Sequence, residues 1–285
     1  MQFQQPVIVD AVRTAIGRRE GQFKDVRPDD LAAAALRGLV QRTGIDPAEV
    51  EDVLLGCVTQ KGEQGGNIGR LAPLIAGFPV TAAGASVNRM CASGLQAVFT
   101  AAQQVATGMV DLAIAGGVES MTREAMGTDM GPLNPTLTSS YEIVWQGESA
   151  ERIAEKWDLT REELDRFSLE SHRRAAAAQD ACRFSPEIVP VEVGGKAVDA
   201  DERIRRDSTL EKLAGLKPSF RPDGRVTAGN ASQISDGAAA ALIASEAKAR
   251  ALGLTPRARI RSWAVAGVDP TLMLTGPIPA TKKAL

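Results

Sequence analysis

The chain has 285 residues, and its 33 basic and 35 acidic side chains nearly cancel to a net charge of −2. That length supports one large domain or two moderate ones with a real core, and the charge balance excludes the basic surplus of a nucleic-acid binder. Aromatic residues are scarce, at 4%, while Gly and Ala abound, which suits the close packing of helices and strands in an α/β protein.

The opening run, Met1 to Asp10, is short and polar before Val7, Ile8 and Val9. It has no basic start, long apolar run or cleavage site, so no signal peptide is expected. Val7 to Val12 reads as a buried strand. Pro28, Asp29 and Asp30 open a helix with Leu31, Ala35, Leu36, Leu39 and Val40 on its apolar side, and Gly44 closes it. Val53 to Val58 is a second strand, Asn67 to Ala76 a short helix stopped by Gly77, and Ala85 to Asn88 the tail of a third strand. A long helix runs from about Ser93 to Thr107. Leu112 to Ala115 is a fourth strand, ended by Gly116-Gly117. Strands alternating with helices predict a layered, largely parallel sheet.

From residue 118 to about 247 the chain is richer in charge and in loop residues. Ser149 to Trp157 and Thr160 to Gln179 read as helices, the second opened by a capping box of Thr160 and Glu163. Gly229 to Asp236 is a polar loop, and Ala238 to Ser245 is an apolar strand. Ala258 to Val268 reads as a further strand on Ile260, Val265 and Val268. The longest uncharged stretch, Met90 to Val110, contains Gln96, Gln103 and Gln104, which predicts a buried helix with its flanks rather than a membrane span.

Cys57, Cys91 and Cys182 are an odd number of cysteines with no metal-ligand spacing. They fit a reducing, cytoplasmic compartment. Cys57 lies in an apolar strand and reads as core, and Cys182 shows no sign of activation. Cys91 joins a strand to a helix whose apolar side is Leu95, Val98, Phe99, Ala102, Val105 and Ala106. Unpaired amides and the positive dipole end at a helix N-terminus favour thiolate over thiol. The small neighbours Ala92, Ser93 and Gly94 leave room for a substrate. These features suit a nucleophile for acyl transfer, and equally a buried structural cysteine at a strand–helix junction. His172, the sole histidine, sits in a charged helix and reads as a surface residue rather than a general base.

The segment Asn88-Arg89-Met90-Cys91-Ala92-Ser93-Gly94 resembles the acyl-enzyme motif of the thiolase family. Other segments resemble the family in order: Asp10 to Gly17, Gly65 to Arg70, Ala115 to Met121, Val226 to Ser232, Asp236 to Ala240 and Gly276 to Thr281. The resemblance implies a thiolase-like layered α/β fold, truncated to the first βα half with an inserted α+β loop domain. By that map residues 1–117 and 249–269 form the N-terminal half, residues 118–248 the loop domain binding coenzyme A, and residues 270–285 the start of an absent C-terminal half.

The resemblance also implies a function: thiolysis of 3-ketoacyl-CoA, or condensation of acetyl-CoA, through an acyl-thioester on Cys91. The family's Asn-Glu-Ala-Phe segment, Gly-His-Pro histidine and second cysteine have no counterpart in these residues, so impaired turnover is expected. Gln146, Lys217, Ala241 and Ser245 fall at positions that the resemblance assigns to the coenzyme A site. Trp145-Gln146-Gly147 stands where many members carry His-Met-Gly, and Lys217 where an Arg is frequent; Lys keeps the charge without the planar fork. Coenzyme A enters as substrate, with no metal or other cofactor. The implied partners are acyl-CoA and coenzyme A, with neither nucleic acid nor membrane, and a homodimer or homotetramer in the full-length family form. Two alternatives stand beside this reading. One is a non-catalytic fragment that binds only coenzyme A or a partner chain. The other is a ketoacyl synthase relative, against which the long insert with its Val226 to Gly237 motifs argues.

Overall fold

A computed structural model describes residues 3–285; Met1 and Gln2, where the opening run begins, lie outside the described residues. The strands are β1 (Pro6–Arg13), β2 (Gly17–Arg18), β3 (Asp52–Gly56), β4 (Ala83–Val87), β5 (Leu112–Ser120), β6 (Val191–Val193), β7 (Lys196–Val198), β8 (Ser235–Ser245) and β9 (Ala258–Arg259). The helices are α1 (Pro28–Thr43), α2 (Ile68–Ala76), α3 (Ser93–Thr107), α4 (Pro135–Ser140), α5 (Gln146–Lys156), α6 (Arg161–Asp180), α7 (Leu210–Ala214), α8 (Glu246–Ala251) and α9 (Pro277–Ala284). None of the helices among the described residues is long and apolar enough to cross a membrane.

The chain forms two compact units. The first runs through Met130 and includes Phe184–Arg203 and Ile234–Arg261. Its sheet has the order β4-β3-β5-β8-β1-β9, with β2 on β8. β3 pairs in parallel with β4 and β5, whereas β8 is antiparallel to β5 and β1. The α/β class expected from the sequence holds, but the sheet is mixed rather than largely parallel. The register explains why. Ser120, the last residue of β5, faces Asp236, near the start of β8. The chain therefore re-enters the sheet at the end where it left, and β8 must run back along β5.

Strict alternation sorts the strand side chains onto two faces. Val53, Leu55, Leu112, Ile114 and Leu242 turn to one face, where Leu31, Leu36 and Leu39 of α1 and Ile68 and Ala72 of α2 cover them. Leu54, Ala113, Ala115 and Ile243 turn to the other, against Ala97, Ala101 and Val105 of α3. Fully burying one Leu or Ile is worth about 1.5–3 kcal/mol, so both layers hold the sheet. α3 differs from expectation: its small residues pack on the sheet, while Leu95 is 57% exposed and Val98 and Phe99 are half-buried. An Ala-on-Ala interface lets helix and sheet approach closely, which a Leu-bearing face would prevent.

Two more expectations shift. β5 runs through Gly116-Gly117 to Ser120 instead of ending there. A Cβ on Gly116 would stand 1.9 Å from the Ala239 carbonyl oxygen, so this glycine permits close strand approach and does not break the strand. In the stretch Ala258 to Val268, only Ala258–Arg259 is strand, paired with β1, and the rest is largely exposed coil. Period and β-branching were present there, but pairing partners were not.

The second unit comprises Gly131–Arg183, Ile204–Gln233 and Ser262–Leu285. Its buried apolar side chains among the described residues are Ala154, Leu213 and Val226. Polar bonds take over the role of a core. The Glu151 carboxylate, 2% exposed, accepts the backbone N–H groups of Arg225 and Val226, both at 2.8 Å. Asp165 accepts from Arg161 and Asn230 at 2.8 Å each. The capping box on α6 is present as expected: Glu163 N–H donates to Thr160 Oγ1 at 3.2 Å, and Thr160 N–H donates to Glu163 at 2.7 Å.

These units depart from the boundaries expected by resemblance. Residues 118–130, 184–203 and 234–248, expected in the loop domain, belong to the first unit. β8 shows the physical reason, since its eleven residues complete the central sheet. Residues 262–269, expected with the N-terminal half, and 270–285 join the second unit, where Thr271 Oγ1 donates to the Glu142 carbonyl at 2.8 Å.

Candidate active site

β3, β4 and β5 run in parallel, and their carboxyl ends lie on one edge of the sheet. Open α/β sheets place chemistry at that edge. β4 ends at Val87 and α3 begins at Ser93, so five residues make the turn that carries Cys91. Met90, just before it, has φ +49°. A non-glycine residue in the left-handed region costs of order 1–3 kcal/mol and persists only where its surroundings enforce it. Cys91 itself is exposed, which a buried packing role would not give. Gly56 at the end of β3 allows this arrangement: a Cβ there would lie 2.3 Å from Ser93 C and from Gly94 N. The first turn of α3 rests directly on the β3 backbone.

A run of polar groups, exposed at Asn88 and buried at Gln64, Ser120 and Asp236, holds the turn. Asn88 Oδ1 accepts the Met90 N–H at 2.9 Å, and Asn88 Nδ2 donates to the Val58 carbonyl at 3.0 Å. Val58 N–H donates in turn to Glu119 at 2.8 Å, and Thr59 N–H to the same carboxylate at 3.2 Å. Gln64, fully buried, donates to Glu119 at 2.8 Å and accepts from the Ser120 N–H at 2.7 Å. Ser120 Oγ donates to the buried Asp236 at 3.1 Å, and Thr122 Oγ1 donates to it at 2.6 Å. One hydrogen-bonded chain thus links β8, β5 and the loop after β3 to the Cys91 turn.

The three cysteines differ in surroundings. Cys57 is 1% exposed, and burial pushes its thiol up to about 12, with the charge of Glu119 adding to the shift. It stays protonated and inert, in accord with its reading as core. Cys182 is exposed and follows α6, with φ +53°. Cys91 alone precedes the amide end of a helix.

The four expected coenzyme A positions are divided between the units. Gln146 is the first residue of α5, behind a 71% exposed Trp145, and Lys217 is exposed just before Pro218; both lie in the second unit. Ala241 lies within β8, facing Ala11 of β1 and Ala115 of β5. Ser245 is 1% exposed, and its hydroxyl caps α8 by accepting the Lys248 N–H at 3.1 Å while donating to Asp111 at 3.2 Å. Ser245 therefore has a structural task within the first unit. His172 belongs to the second unit, and its Nδ1 accepts the Arg205 N–H at 3.2 Å. A surface cleft of about 980 Å³ beside α1 and residues 185–194 holds none of these residues. Its Arg27 and Arg42 are already paired with Asp29 and Asp10.

Sequence reasoning assigned no role to Met90, Gln64, Glu119 or Asp236, and read Ser93 only as a small neighbour of Cys91. The one local signal was Asn88, an Asx residue two positions before the turn residue that it caps.

The fold and site define an α/β protein with an exposed cysteine on a strained strand-to-helix turn. Comparison with known proteins gives the family. The model of the thiolase N-terminal domain matches residues 6–247. The chain is 48% identical to a 3-ketoacyl-CoA thiolase of Psychrobacter cryohalolentis, over 98% of this chain and 74% of that one. It is 46% identical to the steroid 3-ketoacyl-CoA thiolase FadA6 of Mycobacterium tuberculosis, over 98% of this chain and 71% of that one. The crystal structure of the Bacillus anthracis acetyl-CoA acetyltransferase superposes with a TM-score of 0.89 at 40% identity, covering all of this chain and 76% of that one. The chain belongs to the thiolase family of acyltransferases, and it spans about three quarters of the length of these relatives.

Proposed function

We propose that Cys91 accepts an acyl group from a coenzyme A thioester and passes it to a second thiol. In the degradative direction the Cys91 sulfur attacks the 3-keto carbon of a 3-ketoacyl-CoA. The bond between C2 and C3 breaks, and C2 takes the electron pair and a proton to leave as acetyl-CoA. The shortened acyl group stays on sulfur until the thiol of coenzyme A displaces it, which gives ping-pong kinetics. Condensation of acetyl-CoA is the same path reversed. The observation that carries the reading is the exposed Cys91 on its strained turn at the start of α3, in a chain of this family. The Cys91 N–H serves as one oxyanion donor, where preorganised donors contribute about 10²–10³-fold.

Coenzyme A is the co-substrate in this reading, and no metal takes part. Lys217 and Gln146 contact it from the second unit; the support is their exposed or half-buried placement. A reducing cytoplasm keeps the Cys91 thiol available. The 285-residue chain by itself turns over slowly at best, because its sole histidine is engaged with the Arg205 N–H and a positioned base contributes about 10²–10⁴-fold. A homodimer or homotetramer in the full-length family form is part of the reading. Its support is β4, the terminal strand of the sheet, near the exposed Leu71, Leu74, Ile75 and Val80.

Incubation with acetyl-CoA followed by peptide mass spectrometry tests the central step. Acetyl on the Cys91 peptide, lost in Cys91→Ser and discharged by added coenzyme A, is the expected result. Acetylation elsewhere, or none by a folded chain, refutes it. Coenzyme A bound without any acetyl-enzyme would support the binding-only fragment.

A further inference from the structure

The Ser93 hydroxyl is engaged twice. It accepts the Arg89 N–H at 2.8 Å and donates to the Met90 carbonyl at 2.5 Å. Ser93 is 3% exposed, so its hydroxyl is shielded from water although Arg89 and Met90 are exposed. Both bonds flank Met90, which is held at φ +49°. The Met90 side chain is 53% exposed, so its own packing does not enforce that backbone shape. Residues with a Cβ avoid the left-handed region for steric reasons. Something else must keep Met90 there, and the Ser93 bridge spans it.

We propose that Ser93 is a positioning residue for Cys91: its hydroxyl, by joining the Arg89 N–H to the Met90 carbonyl, holds Met90 left-handed and so sets the direction of the Cys91 side chain at the start of α3. Cys91 is the next residue after Met90, between an anchored strand and an anchored helix. If Met90 relaxed to negative φ, the intervening peptide planes would rotate and Cys91 would point elsewhere. Asn88 assists from the other side by accepting the Met90 N–H at 2.9 Å. The importance of this positioning for acyl transfer rests on the reading of Cys91 as acyl acceptor.

The test is the rate of iodoacetamide alkylation of each cysteine in the whole folded chain, with peptides mapped. Ser93→Ala should slow Cys91 by about tenfold or more, since misplacing a reacting group costs up to about 10²-fold. Adding Met90→Gly to Ser93→Ala should restore most of the rate, because glycine reaches positive φ without the hydroxyl. A merely structural loss would not be restored in this way. Met90→Val, with Ser93 intact, should slow Cys91 as Ser93→Ala does, because a β-branched residue resists this region. An unchanged rate in Ser93→Ala or in Met90→Val, or no recovery in the double variant, overturns the proposal. If Ser93→Ala fails to fold, Met90→Val decides alone, since its side chain is exposed. In the wild type, Cys57 or Cys182 reacting ahead of Cys91 would overturn the acyl-acceptor reading and the positioning role with it.

Discussion

Cys57 and Cys91 lie at the carboxyl ends of adjacent strands yet differ in all that governs reactivity. Cys57 is enclosed in the core, and burial pushes its thiol up to about 12. Cys91 is exposed before the amide end of α3, whereas Cys182 follows the carbonyl end of α6. We expect alkylation near neutral pH in the order Cys91, Cys182, Cys57, with Cys57 reacting only on unfolding; peptide mapping over time checks the order. Gly56 acts on the same site through space. Gly56→Ala forces a methyl group into the α3 backbone, and overpacking of this kind costs about 1–3 kcal/mol. A lower Tm together with slower Cys91 alkylation is the expected outcome, and a Tm equal to wild type would show that α3 can move away at no cost.

At the scale of elements, local chemistry was readable wherever neighbours along the chain decide the structure. α1 starts at Pro28 and is closed by left-handed Gly44, and α3 spans Ser93–Thr107, both as expected. The α6 capping box was legible as Thr160 and Glu163. Thr160→Ala removes the acceptor of the Glu163 N–H and should cost about 0.5–2 kcal/mol, measured as a shift in chemical denaturation. No shift would mean that tertiary contacts alone hold the end of α6. Elements whose extent depends on distant partners were read less well. Gly116-Gly117 looked like a strand end because glycine usually breaks strands, but the close approach of β8 requires glycine there. Ala258 to Val268 has the period of a strand, yet it pairs with β1 only over Ala258–Arg259.

At the scale of the molecule, the two units are held by different forces. The first buries aliphatic side chains on both faces of its sheet. The second relies on Glu151, Asp165 and exposed ion pairs. Arg221, and then Arg152, hold the Glu148 carboxyl down to about 2, and Arg173 and Arg174 do the same for Glu170. A carboxyl with a folded pKa below its unfolded value stabilises fully above the unfolded value, near 4.5 here. That contribution fades as pH falls towards about 2. The second unit should therefore loosen first on acidification. All three tryptophans, Trp145, Trp157 and Trp263, lie in it, so their fluorescence reports this unit alone. Loosening should begin between pH 4.5 and 2 and begin at higher pH in Arg221→Met. Because these pairs are exposed, high salt should weaken the effect. A fluorescence signal flat across that range would refute the account. A second expectation concerns Glu151. Glu151→Ala leaves the Arg225 and Val226 amides unpaired in a buried site, which costs about 1–3 kcal/mol, seen as a fall in the fluorescence-detected Tm.

The amino-acid sequence by itself determined the alternation of strands and helices, the helix ends, and the placement of Cys91 at a strand–helix junction. These depend on period, caps and turn residues, which act over a few positions along the chain. The family motif in Asn88 to Gly94 was likewise legible without coordinates. Only the tertiary structure decided that β8 closes the sheet antiparallel, that α3 packs through its alanines, and that the Cys91 turn is strained and tied to Asp236 through Gln64 and Glu119. The bonds of Gln64 to Glu119 and Ser120, and of Ser120 to Asp236, join residues more than fifty positions apart. A hydrogen bond or close approach between such residues leaves no periodic trace, because its partner is set by how the layers pack.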